Sequence, residues 1–261
     1  MLVAGETEIY ESHVTLTRLG EFLEDHLGMT YTLITTDTRE DIPGMEQIAD
    51  ADLAVLAIRR RALAYESMLA FQEYLEAGKP ILAFRTTSHA FDPTGDYQHL
   101  PDITEVDPGE LDPGDPVAWR SFDNDVLGCD YDGYPSGATA VRMPAGAMDH
   151  PIMEGLEGPY ALRETMYRSA PLGETTELLL MGACIDGGLD NPRYHRDQDE
   201  EVPDEPLAWT NDYNGAPIFY TSMGGLPAWD ADWYQRMMLN ALFWLLDEPA
   251  PDNLKARLEE F

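Results

Sequence analysis

Leu53-Ala54-Val55-Leu56-Ala57-Ile58, then Tyr65 to Ala77, then Pro80-Ile81-Leu82-Ala83-Phe84 follow one another with little between them. The first is a nearly continuous apolar run behind Asp50-Ala51-Asp52, the pattern of a strand covered on both faces. The second places Met68, Leu69, Phe71, Tyr74 and Leu75 on or near one helical face, and Gly78 follows as its cap. The third is another short apolar strand. Strand, helix and strand in this rhythm predict an α/β fold, with a parallel sheet and helices on both faces.

Working outward, Met1 to Ala4 reads as the end of a buried strand, and Leu16, Leu19, Phe22, Leu23 and Leu27 give helical spacing across Thr15 to Leu27. Tyr31 to Thr36 is β-rich. Residues 92–136 change character: Asp, Pro and Gly dominate, and a long excursion of loops is expected, anchored by Trp119, Phe122, Val126 and Leu127. Strands are expected at Thr139 to Met143, Leu178 to Ile185, Leu207 to Thr210 and Pro217 to Ser222, the last two joined by a turn at Tyr213-Asn214-Gly215. Asp186 to Asp204 reads as an acidic loop. Asp230 to Leu246 is the clearest helix, ended by Pro249. The expectation is a single domain over residues 1–261, with 248–261 as a short charged tail.

Charge limits the partners. The chain has 261 residues, with 49 acids against 16 bases and a formal net charge of −33. Such a surface repels phosphate backbones and anionic bilayers, so neither nucleic acid nor membrane is an expected partner. The acids are scattered along the chain, which reads as a solvated shell suited to high salt rather than a cation site. No apolar run approaches the roughly 18 residues of a membrane span. The chain as written shows no signal peptide, which implies a cytoplasmic protein unless a leader precedes Met1. Cys129 and Cys184 make neither a disulfide framework nor a zinc site. Phosphate loops, Gly-x-Gly-x-x-Gly, Gly-x-Ser-x-Gly and His-Glu-x-x-His are absent, so no cofactor and no metal are expected.

In an open parallel sheet, ligands bind outside the carboxyl ends of the strands. The segments there are Gly5-Glu6-Thr7-Glu8-Ile9-Tyr10, Arg59-Arg60-Arg61, Arg85-Thr86-Thr87-Ser88-His89 and Thr221-Ser222-Met223-Gly224-Gly225. Three consecutive arginines in so acidic a chain fit either a clamp for anions or sugar hydroxyls, or a set of structural ion pairs. The hydroxyls of Thr86, Thr87 and Ser88 fit either a helix N-cap or a row of hydrogen-bonding groups beside His89.

These segments, with Glu76 to Phe91, Asp149-His150-Pro151-Ile152, Ala208-Trp209-Thr210 and Phe219 to Gly224, resemble the ThuA-like, or trehalose-utilisation, family over residues 1 to about 247. The resemblance implies a flavodoxin-like, class I glutamine amidotransferase-like three-layer sandwich with a mostly parallel sheet. It also implies a link to carbohydrate breakdown, oxidised 3-keto glycosides included. Amidotransferases carry a nucleophilic Cys at the turn after the strand, where this chain has Arg85. Arginine stays protonated and cannot attack, so no glutaminase activity is expected. Similar proteins often have His after the Tyr of the first loop, where Glu11 stands here with His13 beyond it. They often carry paired histidines in the segment that here runs Gly128 to Pro135 without any.

Together these readings predict a sugar cleft. Glu6 and His89 are the candidate acid/base pair for hydrolysis or elimination at a glycosidic bond. Tyr10, Arg59, Arg60, Arg85, Thr86 and Ser88 would bind a small-molecule sugar, with Tyr131, Trp209 and Ser222 at the rim. The lost thiol and lost histidines also fit a non-catalytic binding or scaffold protein. A weaker alternative is an interaction module working through the acidic loops at Asp107 to Asp132 and Asp186 to Asp204. A homo-oligomer stays open.

Overall fold

In chain order the strands are β1 (Leu2–Gly5), β2 (Leu33–Thr35), β3 (Ala54–Ile58), β4 (Leu63–Ala64), β5 (Ile81–Phe84), β6 (Pro116–Val117), β7 (Ala138–Arg142), β8 (Tyr160–Leu162), β9 (Glu177–Ile185), β10 (Glu205–Tyr213) and β11 (Ala216–Thr221). The α-helices are α1 (Ser12–Leu27), α2 (Tyr65–Glu76), α3 (Leu226–Trp229) and α4 (Asp232–Leu245). These elements come from a computed structural model, which describes residues 1–107, 109–135, 137–185, 202–251, 254, 258 and 261. Most of the expected acidic loop Asp186 to Asp204 therefore lies outside the described residues.

Nine strands form one sheet in the order β2-β1-β3-β5-β11-β10-β9-β7-β8. From β2 to β11 every pairing is parallel. From β11 to β8 every pairing is antiparallel. The fold is the expected α/β class, but the sheet is mixed, with parallel and antiparallel halves meeting at β11. The reason is local: β10 and β11 are joined by a tight turn whose Asn214 (φ 54°) and Gly215 (φ 92°) both take left-handed backbone, which closes a hairpin.

Alternation along the parallel strands sorts two cores. Leu2 and Ala4, Val55 and Ala57, Leu82 and Phe84 face α1 and α4. Val3, Leu56 and Ile58, Ile81 and Ala83 face the Met68, Phe71 and Leu75 side of α2. Both faces are covered, which explains the continuous apolar runs. Gly78 follows α2 at φ 74° and donates its N–H to Leu75 O, as a helix-ending glycine does.

The four anchors expected of the 92–136 excursion are buried, and the last residues add to the core as well. The 92–136 excursion carries part of the core: Trp119, Phe122, Val126 and Leu127 are buried, and Trp119 and Phe122 pack on Phe71 of α2. The charged tail is anchored by apolar groups, with Leu254 buried and Phe261 against Phe22 and Trp229. Burial of their apolar surface outweighs solvation of the surrounding charges.

Candidate active-site cleft at the strand ends

β1, β3, β5 and β11 are neighbours and point the same way, so the loops after them converge at one edge of the sheet. At its centre, β5 ends in extended backbone at Phe84, and Arg85 turns sharply with φ 52°. A non-glycine residue in that region costs about 1–2 kcal/mol. Neighbours hold the turn. Tyr220 Oη donates to Arg85 O at 2.7 Å. Thr87 Oγ1 donates to Phe84 O and Leu56 O, both at 2.9 Å, and accepts from Ile58 N–H at 3.2 Å. Arg85–His89 is a short 3₁₀ turn with no side-chain cap. Thr87 therefore staples β3 to β5, a role neither of the readings from sequence contained.

The Arg85 side chain departs from its expected place. It was to donate into an open cleft, yet it is 2% exposed. Nη1 donates to Thr165 O at 2.6 Å and Ser222 O at 2.8 Å. Nη2 donates to Tyr10 Oη at 3.1 Å and Thr165 Oγ1 at 3.2 Å. Nη1 also stands 3.2 Å from Glu164 Oε1, and the guanidinium carbon lies 4.5 Å from the Tyr10 ring centre and 4.4 Å from that of Tyr167. Burial alone would lower its pKa; Tyr167, Glu164 and Tyr10 outweigh that and hold it above the ordinary arginine value. Only Nε lacks a partner among the described residues. Arg85 thus locks the loops after β1, β5, β8 and β11 together. It borders a small cavity of about 170 Å³ with Tyr10, Glu164, Thr165 and Gly225.

The Glu164 carboxylate is shared between Arg85 and the backbone: Oε1 accepts from Gly224 N–H at 2.9 Å and Oε2 from Gly225 N–H at 3.1 Å. Glu164, Thr165 and Tyr167 belong to the site and were not anticipated. In a chain with 49 acids, one further glutamate carries no visible signal.

The three arginines divide. Arg61 is buried, donates to Arg59 O at 2.6 Å and faces Glu8 at 3.4 Å. Arg60 pairs with Asp92 at 2.7 Å. These two are structural ion pairs. Arg59 is half-buried at the end of β3 and has no carboxylate partner among the described residues.

His89 is 7% exposed and stacks on Tyr131, with ring centres 4.3 Å apart and planes at 22°. Tyr167 stands edge-on to Tyr131 at 4.9 Å. His89 Nδ1 lies 3.1 Å from Ser88 Oγ. Burial, then Arg60, Arg59 and Arg85, drive its pKa well below 6.5, so the ring is neutral near pH 7. Burial also pushes the Tyr131 phenol up to about 12.

The remaining candidates are placed as follows. Glu6 is buried and its carboxylate accepts from Tyr10 N–H at 3.1 Å and from Ile9 N–H, organising its own loop. None of its described hydrogen bonds reaches His89. Thr86 and Ser88 are buried in the 3₁₀ turn. Ser222 contributes its carbonyl to Arg85, while its buried Oγ has no described partner. Trp209 is not at the rim: it is 0% exposed, packs on Tyr220 and donates Nε1–H to Leu127 O at 2.7 Å. Its strand β10 lies inside the sheet, where a large apolar ring is best satisfied by burial. Among the described residues no three His, Cys, Asp or Glu side chains stand close enough to hold a metal.

Fold and elbow together define a class: a three-layer α/β protein whose candidate site lies where neighbouring parallel strands end, around a buried arginine. A model of the ThuA family, trehalose utilisation, matches residues 2–245, and the chain belongs to that family. Among solved structures it is similar to a putative ThuA-like protein from Bacteroides uniformis, with TM-score 0.59, 16% identity, and 94% of this chain and 89% of that chain covered. A putative ThuA-like protein from Parabacteroides merdae gives TM-score 0.52 at 15% identity, covering 97% and 92%. A cold-adapted β-galactosidase from Rahnella sp. R3 gives TM-score 0.50 at 15% identity, covering 92% of this chain and 28% of that one. At these identities the likeness is one of fold. No protein of curated function matches the chain.

Proposed function

We propose that this protein serves carbohydrate utilisation by binding a glycoside, trehalose or a related sugar with 3-keto sugars included, in the cleft where β1, β3 and β5 end. The observation that carries the reading is the partly exposed Tyr131 ring, backed by neutral His89, whose ring feels the charge of Arg59. Sugars are bound by an aromatic face under the ring and directed donors at its edge, and this corner supplies both. Family membership supports the same reading.

The site favours binding over the acid/base chemistry of Glu6 and His89. The Glu6 carboxylate is occupied by backbone N–H groups, and a histidine held far below 6.5 is a weak base at neutral pH. Glutamine hydrolysis is disfavoured in the same way: Arg85 occupies the elbow, Cys129 is buried with its thiol pKa pushed up by burial, and Cys184 lies on β9. The test is calorimetric titration of trehalose and a 3-keto glycoside into wild type and Tyr131→Ala, with turnover and ammonia release from glutamine followed in parallel. Saturable sugar binding that Tyr131→Ala weakens at least about tenfold supports the proposal. No sugar binding, or glutamine hydrolysis by the wild type, overturns it. Turnover abolished by both Glu6→Gln and His89→Ala would restore the catalytic pair.

A further inference from the structure

We propose that the sugar taken by this cleft is anionic, carrying a carboxylate or phosphate that docks on the Arg59 guanidinium. The inference rests on the sugar-binding reading and sharpens it to a substrate class.

The argument begins with charge accounting. In a chain of 49 acids and 16 bases, an arginine at a folded surface ordinarily finds a carboxylate. Its neighbours do: Arg60 has Asp92, Arg61 has Glu8, and Arg85 has Glu164. Arg59 alone of this group has none among the described residues, although it is half-buried and partly withdrawn from bulk water. Its backbone is fixed from three sides. Its N–H donates to Gly5 O at 3.2 Å, tying it to the loop after β1. Its carbonyl accepts from Arg61 Nη1 at 2.6 Å. The next residue, Arg60, donates its N–H to His89 O at 3.1 Å, tying it to the turn after β5. The Arg59 backbone is thus held where the loops after β1, β3 and β5 meet, and its side chain has no carboxylate partner among the described residues.

Of the cations that act on the His89 ring, Arg60 is compensated by Asp92 and Arg85 by Glu164, which leaves Arg59 as the one without a carboxylate among the described residues. Asp123, the buried acid behind Tyr131, turns its carboxylate onto the backbone N–H groups of Tyr131 and Asn124. A single uncompensated guanidinium attracts a small anion while the acidic outer surface repels polyanions. A half-buried guanidinium bonds an anionic oxygen more strongly than a neutral hydroxyl and offers a two-pronged fit to carboxylate or phosphate. Tyr131 supplies the face for the sugar ring.

The experiment is calorimetric titration of glucose, glucuronate and glucose 6-phosphate into the full chain at low and at molar salt, with wild type, Arg59→Gln and the remote Arg142→Gln. Expected is at least a tenfold preference of wild type for one of the two anions over glucose, shrinking as salt rises. Arg59→Gln should erase that preference by weakening the preferred anion at least about tenfold more than it weakens glucose, and Arg142→Gln should change neither. The tighter of the two anions identifies the charged group. Should Arg59→Gln not fold, the wild-type preference and its salt dependence decide alone. Glucose binding as tightly as both anions, or all three weakened equally by Arg59→Gln, overturns the inference and leaves the sugar reading standing. Binding of none of the three overturns both.

Discussion

Replacing Arg85 by methionine keeps much of the side-chain volume and removes the charge and its donors. Glu164 would then be left 5% exposed without its cation. Breaking a buried pair from one side costs about 3–5 kcal/mol. Gly224 and Gly225 still donate to that carboxylate, which points to the lower end, about 3 kcal/mol. For a chain of this size such a loss lowers Tm by roughly 6–12 °C. Urea unfolding at fixed pH and salt measures it. Removing both charges in Arg85→Met/Glu164→Gln should cost less than the sum of the single changes, with a coupling of about 1–3 kcal/mol. The backbone adds an independent check: at φ 52°, Arg85→Gly should be the more stable of the glycine and alanine variants by about 1 kcal/mol. A loss below about 1 kcal/mol for Arg85→Met, or strict additivity in the double variant, refutes the view of Arg85 as the tie between four loops.

Other consequences are as direct. Because the folded state keeps His89 neutral, its pKa is depressed relative to the unfolded chain, so stability should fall as pH drops from about 6.5 toward the folded value; comparing urea midpoints of wild type and His89→Gln from pH 7.5 to 5 should show a shallower slope for the variant, and identical slopes would count against it. Trp209→Phe should cost about 1–3 kcal/mol through the stranded Leu127 carbonyl and leave sugar affinity unchanged, whereas an affinity loss in calorimetry would return Trp209 to the rim. With a net charge of −33, melting temperature should rise between low and molar salt, and a flat profile would contradict a self-repelling surface.

The parallel half of the fold was legible because β1, β3 and β5 are buried on both faces and α1 and α2 are amphipathic, so burial and periodicity coincide. The β10–β11 hairpin was legible through Asn214-Gly215. β8, with three residues, has too short a pattern to be read. The segment after it therefore stayed out of view, and with it Glu164, Thr165 and Tyr167, whose roles depend on a return across the sheet. That the loops after β1, β3, β5 and β11 share one edge of the sheet could be read in advance, since strand ends follow from strand positions. Side-chain direction was not. Arg85, Glu6 and Ser222 have hydrogen-bonding groups suited to a ligand, yet protein acceptors and donors consume most of them, and only tertiary contacts reveal that. Trp209 was misplaced for a related reason: an aromatic ring on a strand suits a rim and a core equally until its neighbours are known.

The Arg85–Glu164 pair also limits how this corner can change. Replacing the arginine alone would strand a carboxylate in the interior, and removing the acid alone would strand a cation. Either single change crosses a stability valley of about 3 kcal/mol, so the two positions can vary only together. The tie leaves the outer faces of the strand-end loops free to diversify around a fixed base.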